Sequence, residues 1–146
     1  MTLAGAGWPM GLPVVGAGVV VVVAAAAAAQ ACQPSLAGEA VRLLRAPAYA
    51  VAYRTEPRDL AVGAPFAIEL AVCAAAGAAD VDALAVDAEM PAHRHGMNYR
   101  PSVSARGDGR YRIEGLLFHM PGHWRLTVEL RAGARVERLA DDLQIE

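Results

Sequence analysis

No charged side chain precedes Glu39 in this chain of 146 residues. Residues 14–29 are an unbroken run of valine, alanine and glycine. The run cannot lie exposed in water, and a buried core helix is not expected either, because the run has no polar face to meet solvent. Such a segment predicts export or attachment to a membrane.

Three uses of this apolar run remain open. A signal peptide would be cleaved after Ala29-Gln30-Ala31, which fits the small-x-small pattern. A lipoprotein signal would be cleaved at the same bond and leave Cys32 as the lipid-attachment residue. A retained anchor needs about 20 apolar residues, close to the length of this run. We therefore assign residues 1–31 to a signal peptide or membrane anchor, although the usual basic residues before the run are absent.

The sequence also lacks an excess of charge. Lysine is absent, and the formal net charge is -2. Neither nucleic acid nor an anionic membrane surface is favoured as a partner, so membrane contact is expected only through the N-terminal segment. No serine stands beside a histidine in a nucleophile motif, and no carboxylate pair stands out as acid and base. We therefore expect a protein that is not an enzyme.

Cysteine is scarce, with Cys32 and Cys73 as the two representatives. In an oxidising compartment these residues could pair. If Cys32 carries a lipid instead, Cys73 is left alone. Cys73 ends a strand-like segment on the face opposite Ile68 and Leu70, and a structural role is expected for it.

Helical periodicity is missing from about residue 48 onward. Residues 32–47 are expected to be a linker with one helical turn at 38–45, and residues 48–146 a domain of alternating polar and apolar positions. The first three predicted strands lie at 49–55, 65–73 and 80–89. The fourth and fifth form a hairpin at 101–118 that turns at Gly107-Asp108-Gly109, and the sixth and seventh lie at 123–131 and 135–146. About seven short strands at regular spacing favour an all-β fold, an immunoglobulin-like β-sandwich.

The strand predicted at 123–131 alternates most clearly. Trp124, Leu126, Val128 and Leu130 share one face, and charged or polar side chains share the other. We expect Trp124 to be a buried anchor of the core.

A cluster of soft and borderline metal ligands follows the third predicted strand. Met90, His93, His95 and Met97 lie within eight residues, although the chain has only five methionines and four histidines. In an extended stretch His93 and His95 would point the same way and could reach one ion at about 2.0 Å each. Thioethers suit Cu(I) and imidazoles suit Cu(I), Cu(II) and Zn(II), so a mixed set in an exported protein indicates copper.

A second group, His119 and Met120, joins the fifth and sixth predicted strands, with His123 a weaker candidate. In an immunoglobulin-type sheet the third strand lies antiparallel to the sixth, so both groups are expected at one end of the sandwich. The alternative is an ordinary structure in which Met90 caps the core, Met120 begins a turn and His123 lies on the surface. Arg94, between two of the histidines, would repel a cation.

Three stretches resemble the YtkA-like domain: MPAHRHGM, GRYRIEGLLFHMPGHWRLTVEL and LAVGAPFAIELAV. The resemblance covers roughly residues 60–130. It implies a small exported β-sandwich that binds or delivers metal in copper-handling and respiratory settings. It carries Met90, His93, His95, Met97 and Met120 over as ligands, whereas His119 and His123 go beyond it.

Two functions are compatible with these observations. The first is an exported copper carrier or chaperone, with Cu(I) or Cu(II) as cofactor and a periplasmic or membrane protein as the partner that receives copper. The alternative is a non-catalytic interaction module of a periplasmic respiratory or transport assembly.

Overall fold

The computed structural model describes residues 32–146, and the predicted signal peptide or anchor at 1–31 lies outside the described residues. Within residues 32–146 no helix is long and apolar enough to cross a membrane. This part of the chain forms nine strands: β1 Arg42–Arg45, β2 Tyr49–Glu56, β3 Pro65–Ala74, β4 Ala83–Met90, β5 His95–Gly96, β6 Ser102–Gly107, β7 Arg110–Leu117, β8 Gly122–Ala132 and β9 Arg135–Ile145.

The strands form two antiparallel sheets that pack as layers. One sheet has the order β1-β2-β3-β7-β6 and the other the order β5-β4-β8-β9. The all-β fold predicted from alternation is therefore confirmed. β4 pairs with β8 along seven residues from Ala83↔Arg131 to Glu89↔Arg125, so the end of β4 lies beside the start of β8, as expected.

The core lies between the inner faces of the two sheets. Trp124, Leu126 and Val128 are fully buried on β8, as are Ile68 and Leu70 on β3. Burial of each such side chain contributes roughly 1.5–3 kcal/mol before the entropy of ordering the chain is counted. The inward alternation predicted for residues 123–131 is confirmed.

The predicted hairpin turn is also present between β6 and β7. Gly107, Asp108 and Gly109 all have positive φ, at 86°, 51° and 69°. Gly109 has a second requirement, because a β-carbon there would lie 2.6 Å from the carbonyl oxygen of Val72. This turn therefore needs glycine for both conformation and space.

The helical turn expected at 38–45 was wrong, because residues 42–45 form β1 at the edge of the first sheet. Arg42 of β1 donates two hydrogen bonds to Asp141 of β9, at 2.6 and 3.1 Å. The buried Tyr53 hydroxyl donates to the same carboxylate at 2.7 Å. Burial first, and then this hydrogen bond, raises the pKa of Tyr53. These long-range contacts join the two sheets and favour a strand over a helical turn.

A disulfide joins Cys32 to Cys73 of β3, with the Cα atoms 5.8 Å apart. That separation is ordinary for a disulfide. The start of the described chain is thereby attached to the first sheet. A sulfur held in a disulfide cannot also carry a lipid, so the two roles considered for Cys32 exclude each other.

We expect Trp124→Ala to lower the free energy of unfolding by about 3–5 kcal/mol, because it removes a fully buried aromatic side chain and leaves a cavity. Urea unfolding followed by circular dichroism measures this. The control is Tyr99→Ala, since Tyr99 is 55% exposed; it should cost less than about 0.5 kcal/mol. Equal effects of the two substitutions would contradict the assignment of Trp124 as the core anchor.

Candidate functional site

The first ligand group lies on a tight turn at the end of β4. The backbone N–H groups of His93 and Arg94 both donate to the carbonyl of Met90, at 3.1 and 2.9 Å. Arg94 has φ of 53°, a left-handed conformation that reverses the chain. The extended stretch assumed for His93 and His95 was therefore wrong: Pro91–Arg94 is a turn, and β5 begins only at His95.

The turn folds β5 back onto the end of β4. Met90 and His95 are direct partners in the β4–β5 register. Side chains of opposed residues in an antiparallel pair share one face, with β-carbons about 4.5–5.5 Å apart. Met90 is 2% exposed, whereas His95 is half-buried and His93 is exposed. The three residues thus run from the core to the surface.

Met97 continues this return strand. Its N–H donates to the carbonyl of Ala88 at 3.0 Å, which extends the attachment of the segment to β4. Its side chain is half-buried against the core. Gly96 allows this close approach, because a β-carbon there would lie 3.2 Å from the Ala88 carbonyl oxygen.

The second group lies between β7 and β8. The indole N–H of Trp124 donates to the carbonyl of Met120 at 2.9 Å, which fixes the turn against the core. Met120 is half-buried and packs against the core. The Nδ1 atom of His119 is buried and has no hydrogen-bond partner. A buried nitrogen without a partner is destabilising unless another group, such as a metal ion, satisfies it.

The fold brings the two groups together. The ring centres of His95 and His119 are 5.1 Å apart, and those of His93 and His95 are 5.9 Å apart. His95 and His119 both lie at steep angles to Trp124, with ring centres 5.9 and 5.4 Å from that of the indole. His95 is therefore the centre of a row of three imidazoles above a buried indole.

These spacings are compatible with a shared ion. Imidazole nitrogen binds metal at about 2.0–2.1 Å, so two rings at a tetrahedral angle have centres roughly 5.2 Å apart, and wider angles extend this to about 6 Å. Within residues 32–146 no group of three or more His, Cys, Asp and Glu side chains is arranged to hold a metal ion. A site here would therefore combine imidazoles with the thioethers of Met90, Met97 and Met120.

Met90 lies close to the start of β8. A β-carbon at Gly122 would be 3.0 Å from the Met90 methyl carbon, and Gly122 has φ of 123°. Glycine at position 122 therefore lets the thioether side chain lie against the second ligand group. This contact was not predicted from the sequence.

His123 is directed away from this cluster. Its Nε2 atom lies 3.1 Å from Asp142 on the outer face of the second sheet, and Arg125 shares that carboxylate. The hydrogen bond from Arg125, and then that from His123, lowers the pKa of Asp142. His123 thus belongs to a surface ion-pair group.

Sequence reasoning missed the part that Trp124 plays in the site. It predicted a buried core anchor, but the indole also contacts both histidine-bearing segments. The spacing F-x-M-P-G-x-W held this signal, since it places the tryptophan one turn after the second ligand group.

A depression of 380 Å³ elsewhere, on the outer face of β4 and β8, is lined by Asp87, Glu129 and Arg138 and does not include the histidines.

Comparison with known proteins supports the fold alone. No family model matches the chain, and no curated protein matches it. A crystal structure of a DUF4426 family protein from Pseudomonas aeruginosa PAO1 aligns with a TM-score of 0.50 and 13% identity, over 72% of this chain and 94% of that one. At this identity the likeness indicates a similar small β fold and carries nothing about ligands or activity.

We expect Gly122→Ala to disturb the site, because the methyl group meets Met90 and the residue keeps a φ that favours glycine. Gly133→Ala is a control for a glycine with positive φ and open space, since Gly133 has φ of 58° and nothing within 4 Å. A φ of 123° is itself costlier for alanine than one of 58°, so the Met90 signal, and not the difference in cost, tests the contact. The control should cost about 1–2 kcal/mol from the backbone alone, and Gly122→Ala distinctly more. Urea unfolding measures the costs, and NMR of the Met90 methyl group should report a shift only in Gly122→Ala. An unchanged Met90 signal in Gly122→Ala would contradict this contact.

Proposed function

We propose that this protein is an exported copper-binding protein that acts as a carrier or chaperone. The observation that supports this most strongly is the approach of His95 and His119, from two separate segments, to 5.1 Å between ring centres. The buried and unpartnered Nδ1 atom of His119 adds to it, because a bound ion would satisfy that nitrogen.

In this proposal His93 and His95 are the primary ligands. Met90 and Met97 supply thioether sulfur, and His119 or Met120 contributes from the turn before β8. The protein provides a half-buried binding place that opens to solvent at His93, and copper is its cargo. His93 is exposed at the rim, which suits transfer of copper to a periplasmic or membrane protein.

We also propose the finer description of the domain as an immunoglobulin-like sandwich of the YtkA-like type. The order of strands β2, β3, β7, β6 in one sheet and β4, β8, β9 in the other corresponds to the ABED and CFG sheets of immunoglobulin constant domains. The resemblance of residues 90–97 and 109–130 supports the family.

Export is part of the proposal. The uncharged run before Cys32 supports it, and so does the Cys32–Cys73 disulfide, because disulfides persist in oxidising compartments.

We expect His93→Ala/His95→Ala to abolish most copper binding, since it removes the two primary ligands. His119→Ala should weaken binding by about tenfold or more if this ring completes the site. Competition titration of the purified protein against a copper chelator measures both effects.

Binding should also weaken as the pH falls, because protons compete with copper for imidazole nitrogen.

His123→Ala is the control for these variants, because it removes a histidine that pairs with Asp142 outside the cluster. It should bind copper as the parent does. If the double variant retains the parent's affinity, the copper proposal fails. If the parent binds no copper above background, the interaction module becomes the better description of the protein.

Export predicts a chain that begins at or near Cys32 when the protein is isolated from its native host. Intact-mass spectrometry gives the first residue and any lipid, and peptide mapping without reductant gives the cysteine pairing. Formation of the disulfide predicts a Cys32–Cys73 linked peptide and no lipid on Cys32. Residues 1–31 found intact on a soluble cytoplasmic protein would contradict export.

A further inference from the structure

We infer that the site binds Cu(I) in preference to Cu(II) and Zn(II), because it offers a monovalent soft ion neutral ligands and no anionic one. The inference rests on the proposal that these residues bind copper, and it adds the oxidation state of the cargo. It follows from the positions of the charged side chains relative to the site.

Carboxylates near the cluster in sequence face away from it. On β4 the buried positions are Val86, Ala88 and Met90, and the exposed positions between them are Asp87 and Glu89. The Asp87 carboxylate accepts the N–H of Ala88 at 2.8 Å. Glu89 lies opposite Arg125 in the β4–β8 register and shares the outer face with it. Strand alternation therefore keeps both acids on the side opposite Met90.

The charge of the ion then decides which ion is favoured. Imidazole and thioether are both neutral, so a bound Cu(II) or Zn(II) keeps two positive charges and a bound Cu(I) keeps one. No fully buried side chain in residues 32–146 is charged. The inward-facing carboxylate of Asp141 on β9 is already paired with Arg42 and Tyr53, so it is not free to compensate an ion in the site. The cost of holding an ion away from water rises steeply with its charge. Arg94, in the same turn, adds repulsion that is greater for a divalent ion.

The chemical character of the ligands favours the same ion. Met90 is 2% exposed and is the register partner of His95, so its thioether lies away from bulk water on the same face of the sheet as that imidazole. Soft thioethers select Cu(I), whereas Cu(II) prefers tetragonal nitrogen and oxygen ligands. Trp124, which is fully buried, closes the inner side with an electron-rich indole close to both histidines. An aromatic face attracts a cation but cannot replace the water ligands that Cu(II) or Zn(II) would need there.

Competition titrations of the full chain test this inference. Cu(I) is measured without oxygen, with ascorbate and a Cu(I)-specific chelator, and Cu(II) and Zn(II) are measured against chelators of their own. The expected result is that Cu(I) binds at least about 100-fold more tightly than either divalent ion. Met90→Leu keeps the volume and burial of the side chain but removes sulfur. It should weaken Cu(I) by about tenfold or more and change Cu(II) by less than about threefold.

The outcomes separate the two proposals. Equal or tighter binding of Cu(II) or Zn(II) would overturn the inference and leave the copper proposal standing. An equal loss of Cu(I) and Cu(II) affinity in Met90→Leu would also overturn it, because the thioether would then confer no selectivity. No binding of copper in either oxidation state would overturn the proposed function itself. His123→Ala, run beside Met90→Leu, should leave all three affinities unchanged, and a loss there would contradict the placement of the site.

Discussion

Burial of the Trp124 indole is the constraint on which the candidate site depends. The ring packs against Phe118 in the core, with ring centres 4.8 Å apart, and its N–H donates to the Met120 carbonyl at 2.9 Å. The same ring contacts the imidazoles of His95 and His119. The packing of the core and the positions of the two histidines therefore depend on the same side chain. A change that moves the indole must also move the turn that carries the second ligand group.

Strand alternation places different kinds of side chain on the two faces of the second sheet. Around the candidate site, the inner side of the second sheet holds aromatic rings, thioethers and aliphatic side chains, and the inward carboxylate of Asp141 on β9 is paired with Arg42 and Tyr53. Ion pairs such as Arg125–Asp142 and Glu129–Arg138 cover the outer side. Exposed pairs of this kind typically contribute about 0–1 kcal/mol, so they contribute mainly solubility and little stability. The separation would suit the proposed soft-metal site, because alternation along β4 directs Asp87 and Glu89 to the face opposite Met90.

Some parts of this arrangement could be predicted from the sequence and others could not, for physical reasons. Period-two alternation predicted the main strands, and the order of strands predicted that the end of β4 would lie beside the start of β8. β1 could not be predicted in this way, because residues 42–45 become a strand through contacts with distant Tyr53 and Asp141. The turn after Met90 was missed because its reversal uses positive φ at Arg94, a residue type that gives no local signal for that conformation. The row of three imidazoles depends on this turn and on the pairing of β4 with β8.

The turn at Pro91–Arg94, which was not predicted, also sets how deeply each candidate ligand is buried. An extended stretch would have set His93 and His95 side by side at one depth. The turn instead leaves His93 exposed, holds His95 half-buried and pairs it with the nearly inaccessible Met90. A carrier must hold its ion firmly and yet release it to a partner, and affinity differences of this kind are expressed mainly in the rate of release. In the proposed carrier, graded exposure would meet both needs, because a partner's ligand would displace His93 first while the deeper ligands still held the ion.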